Sequence, residues 1–186
     1  ANIAYLPTGY DAQFWRPLGA KDDVVLSVAV VRDLGTARLK GLDTLIAAAW
    51  KMPAVKFVIV GVDPQIGLSL RPPMNMTFYG PMPRKEILPF YQQAKVYCQP
   101  SRREGLSNAL CEAMLCGCIP VASRVGGNPT AIGNDGILIP PSDVDSLVTA
   151  LHYGLTTEEQ IGERARSRIV SLFPKEKRES DLLRAV

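Results

Sequence analysis

Two glutamates eight residues apart, Glu104 and Glu112, lie in the segment Ser101 to Gly117, SRREGLSNALCEAMLCG, with Gly105, Ser107 and Asn108 between them. Ser107 and Asn108 are both favoured helix caps, so a helix starting there carries Glu112 and leaves Glu104 in the preceding loop. The unpaired N–H groups and positive dipole end of that helix face whatever lies beyond the loop, and an anion is the natural occupant. A carboxylate on such a helix can accept from a ribose diol, as the acidic residue of dinucleotide-binding folds does, while one in the loop can reach a sugar hydroxyl. The competing reading is a solvated loop glutamate followed by an exposed helical one. Spacing alone leaves both open.

Two cations favour the first reading. Arg32 directly follows the apolar run Val24 to Val31, and Lys40 with Gly41 opens the helical stretch that crosses away from it. In an open α/β sheet the end of such a strand is where ligands bind. Arg32 and Lys40 there would clamp a diphosphate through charge-assisted hydrogen bonds of about 1.5 to 3 kcal/mol each. The alternative is ordinary loop charge. Coincidence with an anion-seeking helix at Asn108 makes the clamp the better reading.

Other motifs fail on inspection. Asp143-Val144-Asp145 has the Asp-x-Asp form that holds a divalent metal in some sugar-nucleotide enzymes, but it follows Pro140-Pro141-Ser142 at a helix start, where capping explains it. No glycine triplet of dinucleotide-binding spacing follows the first strand, and no Gly-Lys-Ser/Thr phosphate loop occurs. Ser107 has Ala109 where a nucleophile elbow needs glycine, and His152, the only histidine, has no evident acidic partner. The spacing of Cys111, Cys116 and Cys118 matches no zinc pattern, so these and Cys98 read as buried free thiols. That usage favours a reducing, cytoplasmic setting, the inner face of a membrane included.

Positioning such a site requires strands ending beside one another. Val24 to Val31, Val55 to Val60, Met76 to Tyr79, Val96 to Gln99, Ile119 to Ala122 and Ile137 to Ile139 are short β-rich runs, most of them apolar without alternation, as strands buried on both faces read. Helical patterns lie between them, the clearest placing Leu42, Leu45, Ile46, Ala49 and Trp50 on one stripe before Pro53. Alternation of this kind predicts right-handed crossovers and a Rossmann-like, doubly wound parallel α/β sheet of about six strands. Pro89, inside the helical pattern of Arg84 to Ala94, predicts a break or a helix start close to it. Ser142 with Asp145, and Thr157 with Gln160, read as two further helix starts. Val144, Leu147, Val148 and Leu151 form the buried stripe of the first, and Ile161, Ala165, Ile169 and Leu172 that of the second.

The chain has 186 residues, 47% of them hydrophobic, enough to bury a core in one domain. Its 21 basic and 18 acidic residues give a net charge of +3, too weak to argue for nucleic acid without a clustered patch. Apolar runs are strand-sized, far short of a membrane span. Arg164, Arg166, Arg168, Lys175, Lys177 and Arg178 make the tail basic. Interspersed with Glu163, Glu176 and Glu179, they read as a solvated face, with contact to a membrane surface or partner domain as the alternative. The chain starts at Ala1 with no charged leader, as expected of a domain cut from a longer protein.

Taken in order, the motifs resemble the C-terminal, donor-binding half of glycosyltransferase family 4, whose architecture is the two-domain GT-B type. Pro7-Thr8-Gly9-Tyr10-Asp11, Trp15 and Pro17 resemble its junction segment, Pro-Asn-Gly-Val-Asp and Phe-x-Pro. Arg32 with Lys40-Gly41 resembles its Gly-Arg-Leu and Lys-Gly pair, Val58 to Gly61 its next strand, and Phe78-Tyr79-Gly80 the strand and turn near the base. Glu104 and Glu112 match its Glu-x7-Glu motif, followed by Ala113-Met114, Gly117 and Gly126-Gly127-Asn128-Pro129.

The resemblance implies residues 1–22 as the interdomain junction, 23–155 as a nucleotide-sugar-binding domain and 156–186 as helices packing on it or toward an absent N-terminal domain. It implies Arg32 and Lys40 as diphosphate ligands, Glu112 as ribose ligand and Glu104 facing the donor sugar. Backbone from Gly105 through Leu106, Ser107 and Asn108 to Ala109 would contact sugar and phosphates, and the turn Gly80 to Met82 would lie near the base. It further implies a UDP- or GDP-linked donor, retention of anomeric configuration with Arg32, Lys40 and Glu104 at the reacting centre, no metal, and a glycan or lipid acceptor held by the missing half. The sequence departs from the family pattern at Val31, where the family has glycine, and by about two extra residues between Arg32 and Lys40. A sugar-nucleotide epimerase of similar architecture and a non-catalytic module that kept the fold are the rival readings.

Overall fold

The computed structural model describes residues 8–158 and 160–185. Six parallel strands, β1 (Asp22–Val31), β2 (Lys56–Val62), β3 (Met76–Tyr79), β4 (Ala94–Gln99), β5 (Ile119–Ser123) and β6 (Ile137–Ile139), form one sheet in the order β3-β2-β1-β4-β5-β6. Every apolar run expected to be a strand is one. Reversal of strand order at β1 creates the switch point between β1 and β4, where a crevice opens at the carboxyl ends of the strands.

Successive side chains of a strand point to opposite faces, and each face has its own apolar layer. Val25, Phe57, Ile59, Val96 and Val121 join one core with α1 (Leu34–Leu39), α2 (Leu42–Lys51) and α7 (Val144–Thr156), and α3 (Pro64–Ser69) lies along it through Ile66. Leu26, Val58, Tyr97 and Ala122 join the other, with α4 (Arg84–Gln93), α5 (Asn108–Leu115), α6 (Asn128–Ile132) and α8 (Gln160–Leu172). The sheet is therefore doubly wound, an α/β Rossmann-like fold. The N-terminal stretch belongs to the second layer: Tyr10 donates its N–H to Phe173 O at 3.0 Å, and Trp15 packs its ring edge-on to Tyr91. Arg166 holds it there by donating to Ala12 O, Trp15 O and Leu115 O. A last helix, α9 (Lys175–Ala185), closes the chain. Pro7, the first residue of the junction motif, lies outside the described residues.

Four expectations are corrected. Pro89 neither breaks nor starts a helix but sits at an exposed position inside α4, where the missing amide leaves the carbonyl of Lys85, itself an exposed residue, without its helical partner. The α7 cap is Asp143, not Ser142: its carboxylate accepts from Ser146 N at 2.9 Å, while Ser142 takes a left-handed φ of 62°. Thr157 closes α7 as its C-cap, and α8 begins at Gln160. Trp50 leaves the buried stripe of α2, with 61% of its surface exposed against 3% for Trp15.

Candidate active site

Three loops at the carboxyl edge of the sheet build the site. After β1, Arg32 is exposed and Asp33 caps α1, accepting from Thr36 N at 2.7 Å. Lys40 is the C-cap of α1, and Gly41 turns the chain with φ 71° so close to Pro100 that any Cβ would overlap the Pro100 carbonyl. The loop after β4 locks onto this turn. Arg102 donates its N–H to Leu39 O at 2.9 Å, and its guanidinium bridges Arg38 O, Asp43 Oδ2 and Ser142 Oγ at 2.7 to 3.0 Å.

That lock brings Lys40 to Glu104, with Nζ 2.6 Å from Oε1. The same oxygen accepts from Ser101 Oγ at 2.8 Å and Gln99 Nε2 at 3.0 Å. Gln99 in turn accepts at Oε1 from Tyr97 Oη at 2.7 Å and Ser107 Oγ at 3.1 Å. Glu104 is therefore held from below by a buried polar chain, and its Oε2 has no hydrogen-bond partner among the described residues. Gln99 was not among the expected site residues. Its signal was a polar side chain at the carboxyl end of the buried run Val96 to Gln99.

The loop after β5 presses in from the other side. Gly126, with φ 52°, leaves no room for a side chain against the Glu104 carbonyl, and Gly127 N–H bonds Gly105 O at 2.8 Å. Gly105 itself has nothing within 4 Å of where a Cβ would stand. Ser107 then caps α5, accepting from Leu110 N at 3.3 Å, and the first N–H groups of that helix, at Asn108 and Ala109, have no place in its ladder. Asn108 is exposed, and its amide oxygen accepts from Tyr10 Oη at 2.9 Å. Leu106 and Ala109 pack their side chains on the second core.

Glu112 is buried, not the exposed helical residue of the bland reading. Tyr91 Oη donates to its Oε2 at 3.3 Å, and Arg84 Nε stands 3.7 Å from its Oε1. Burial pushes its carboxyl up to about 7, with Arg84 and the Tyr91 hydrogen bond pulling the other way. The residue lies in the wall of a cavity of about 600 Å³, together with Tyr10, Trp15, Arg84, Lys85 and Lys175. Arg84 and Tyr91 were missed in sequence, where they belong to an unremarkable amphipathic helix.

Not every expected residue joins this network. Gly80 has nothing within 4 Å of where a Cβ would stand, whereas the Met82 side chain packs on the second core. Arg32 makes no hydrogen bond or ion pair among the described residues. Asp143 uses both carboxylate oxygens on Ser146, as capping requires. All four cysteines are free and buried, with their thiols pushed up by burial, Cys111 to about 12. Among the described residues no three His, Cys, Asp or Glu gather as a metal-ligand set, and no helix is long and apolar enough to cross a membrane.

Residues 26–156, which contain every loop just described, match the family model of the glycosyl transferases group 1. The chain belongs to that family. As a glycosyl transferase group 1 chain it is 31% identical over 176 residues to D-inositol 3-phosphate glycosyltransferase of Thermobifida fusca, covering 83% of itself and 40% of that relative. Its fold superposes on sucrose-phosphate synthase from Thermosynechococcus elongatus with a TM-score of 0.84 and 27% identity, over 97% of this chain and 51% of the other. The Anabaena protein HepE, solved in complex with UDP-glucose, shares the fold with a TM-score of 0.80 at 18% identity, over 95% of this chain and 55% of the other. This glycosyl transferase group 1 chain thus spans about 40% of the relative's length and about half of the solved chains'.

Proposed function

We propose that the chain is the C-terminal, donor-binding half of a family 4 glycosyltransferase, which takes a UDP- or GDP-linked hexose and transfers the sugar with retention to a glycan or lipid acceptor held by another domain. The observation that carries this reading is the grouping, around the open backbone at Gly105, of an anchored carboxylate, its paired lysine and the free N-terminus of α5. A diphosphate seated between Arg32, Lys40 and the N–H groups of Asn108 and Ala109 meets positive groups already in place. Negative charge develops on that leaving group as the sugar–oxygen bond breaks, so these groups stabilise the transition state more than the ground state. No metal is needed in this scheme.

Glu104 is suited to hold the sugar rather than to attack it. Three donors on Oε1 stabilise its anion and lower its nucleophilicity, while Oε2 is left to accept from a sugar hydroxyl. Glu112, in the cavity wall, accepts from the ribose diol. UDP-glucose in the HepE complex is consistent with a nucleotide sugar as donor.

Calorimetry of the chain with UDP and GDP tests the reading. Binding of one of them, weakened about tenfold or more in Glu112→Ala, is expected. No binding of either, or binding indifferent to Glu112→Ala, removes the ribose assignment. Arg32→Ala should weaken the diphosphate more than the nucleoside alone, and equal weakening contradicts the clamp.

A further inference from the structure

Tyr10 reaches Asn108 across 98 residues of sequence, its Oη donating to Asn108 Oδ1 at 2.9 Å. The phenol is itself fixed: only 6% of Tyr10 is exposed, its N–H bonds Phe173 O at 3.0 Å, and its ring packs edge-on to Phe173. Burial, with Cys111 and Glu112 adding to it, pushes the hydroxyl well above the usual tyrosine range, so the proton it donates stays in place. Tyr10 stands where the resembled junction motif has valine, so this hydroxyl is an addition to that pattern.

Holding Oδ1 decides where the rest of the amide points. The group is planar, so with its oxygen turned to Tyr10 its two N–H donors occupy the other arm, and Asn108 Nδ2 has no partner among the described residues. Asn108 is the first residue of α5 and stands four positions before Glu112. Four residues make about one turn, so the two side chains share a face of the helix, about 6 Å apart along its axis, and both lean toward its N-terminus. Tyr10 and Glu112 also share the wall of the cavity of about 600 Å³. A ribose on Glu112 and a diphosphate on the first N–H groups of α5 therefore put the link between ribose and phosphate beside Asn108.

We propose that the Asn108 side-chain amide donates to the phosphate bonded to the donor's ribose, and that Tyr10 is the positioning residue that turns it there; this rests on the donor reading above. Released from Tyr10, the amide is free to turn over, and its oxygen then meets the phosphate with lone pairs in place of donors. The hydroxyl acts on affinity only through Asn108, and that property separates positioning from packing.

A double-mutant cycle read by calorimetry tests this, with whichever of UDP or GDP binds the chain and with the matching nucleoside 5′-monophosphate. Asn108→Ala is expected to weaken both ligands about tenfold or more, since a hydrogen bond to a charged phosphate is lost. Tyr10→Phe keeps the ring and should weaken both about threefold or more, yet cause no further loss in the Asn108→Ala background. Asn108→Asp still accepts from Tyr10 but sets a carboxylate against the phosphate, and should bind more weakly than Asn108→Ala. A Tyr10→Phe loss of the same size in both backgrounds, a loss confined to the diphosphate, or no loss in Asn108→Ala overturns the proposal, and if binding still depends on Glu112 the donor reading survives it. Failure of both UDP and GDP to bind the unaltered chain overturns the two together.

Discussion

Lys40 Nζ lies 2.6 Å from Glu104 Oε1, joining the end of α1 to the loop after β4 across 64 residues of sequence. The side chains keep 25% and 10% of their surface exposed, so the pair is neither a free surface bridge nor a fully desolvated one. Lys40→Met should cost about 1 to 3 kcal/mol in stability, because it leaves a mostly buried carboxylate with two neutral donors. Nucleoside diphosphate affinity should fall in the same variant. Glu104→Gln should unfold near the wild-type temperature, since its carbonyl oxygen can still accept. Thermal unfolding together with calorimetry checks both, and equal destabilisation by the two changes would contradict the asymmetry.

Glu112 gives stability and binding opposite pH dependence. Its carboxyl rises from an ordinary value of 4.5 to about 7, so between those values the folded chain keeps a proton that the unfolded chain has lost. Stability should therefore fall as pH rises through that window and level off above it. Nucleotide binding should strengthen over the same range, as the ionised carboxylate becomes the better acceptor for a ribose diol. Glu112→Gln should flatten both profiles, and Arg84→Ala, by removing the cation that favours ionisation, should move both upward in pH. Melting temperatures and titrations from about pH 4 to 8 read this out; an unaltered slope in Glu112→Gln would refute it.

Two glycines on either side of the Glu104 backbone, Gly126 and Gly105, should respond differently to alanine. Gly126→Ala places a Cβ into the Glu104 carbonyl at a left-handed φ, a conformation that costs about 1 to 3 kcal/mol for a non-glycine residue before the overlap is relieved. Gly105→Ala meets nothing and should fold normally, yet lose donor affinity because the methyl group occupies the ligand's approach to the backbone. Matched melting curves and titrations separate the cases, and a Gly105→Ala chain with unaltered binding would place the ligand elsewhere.

Gln99 should behave as a positioning residue for Glu104. Gln99→Glu removes the donor to Glu104 Oε1 and sets a second carboxylate beside it, so like charges meet in a mostly buried place. Donor affinity is expected to fall further than in Gln99→Met, which loses the amide donor without adding a charge. Equal losses in the two variants would mean that the change acts on packing alone.

Strands and layers were legible because buried parallel strands are written as unbroken apolar runs, and all six such runs pair as expected. The loop position of Glu104 and the cap at Ser107 were legible too, since cap preference is a local signal, whereas the pairing of Lys40 with Glu104 was not, because it joins two loops far apart in sequence. Arg84, Tyr91 and Gln99 were not: each looks like an ordinary helix or strand residue until the fold carries it to a glutamate 28, 21 or 5 positions away. Pro89 misled for a related reason, because the cost of a proline depends on whether its orphaned carbonyl faces solvent, which propensity does not encode.

The contrast between the two tryptophans has a practical consequence. Trp15, sealed against Tyr91 in the wall of the Glu112 cavity, should emit at short wavelength and resist acrylamide, whereas Trp50 on the outer side of α2 should emit red-shifted and be quenched freely. A Trp50→Phe chain would then carry a single tryptophan in the wall of the Glu112 cavity, able to report its occupancy without any label when excited beyond tyrosine absorption.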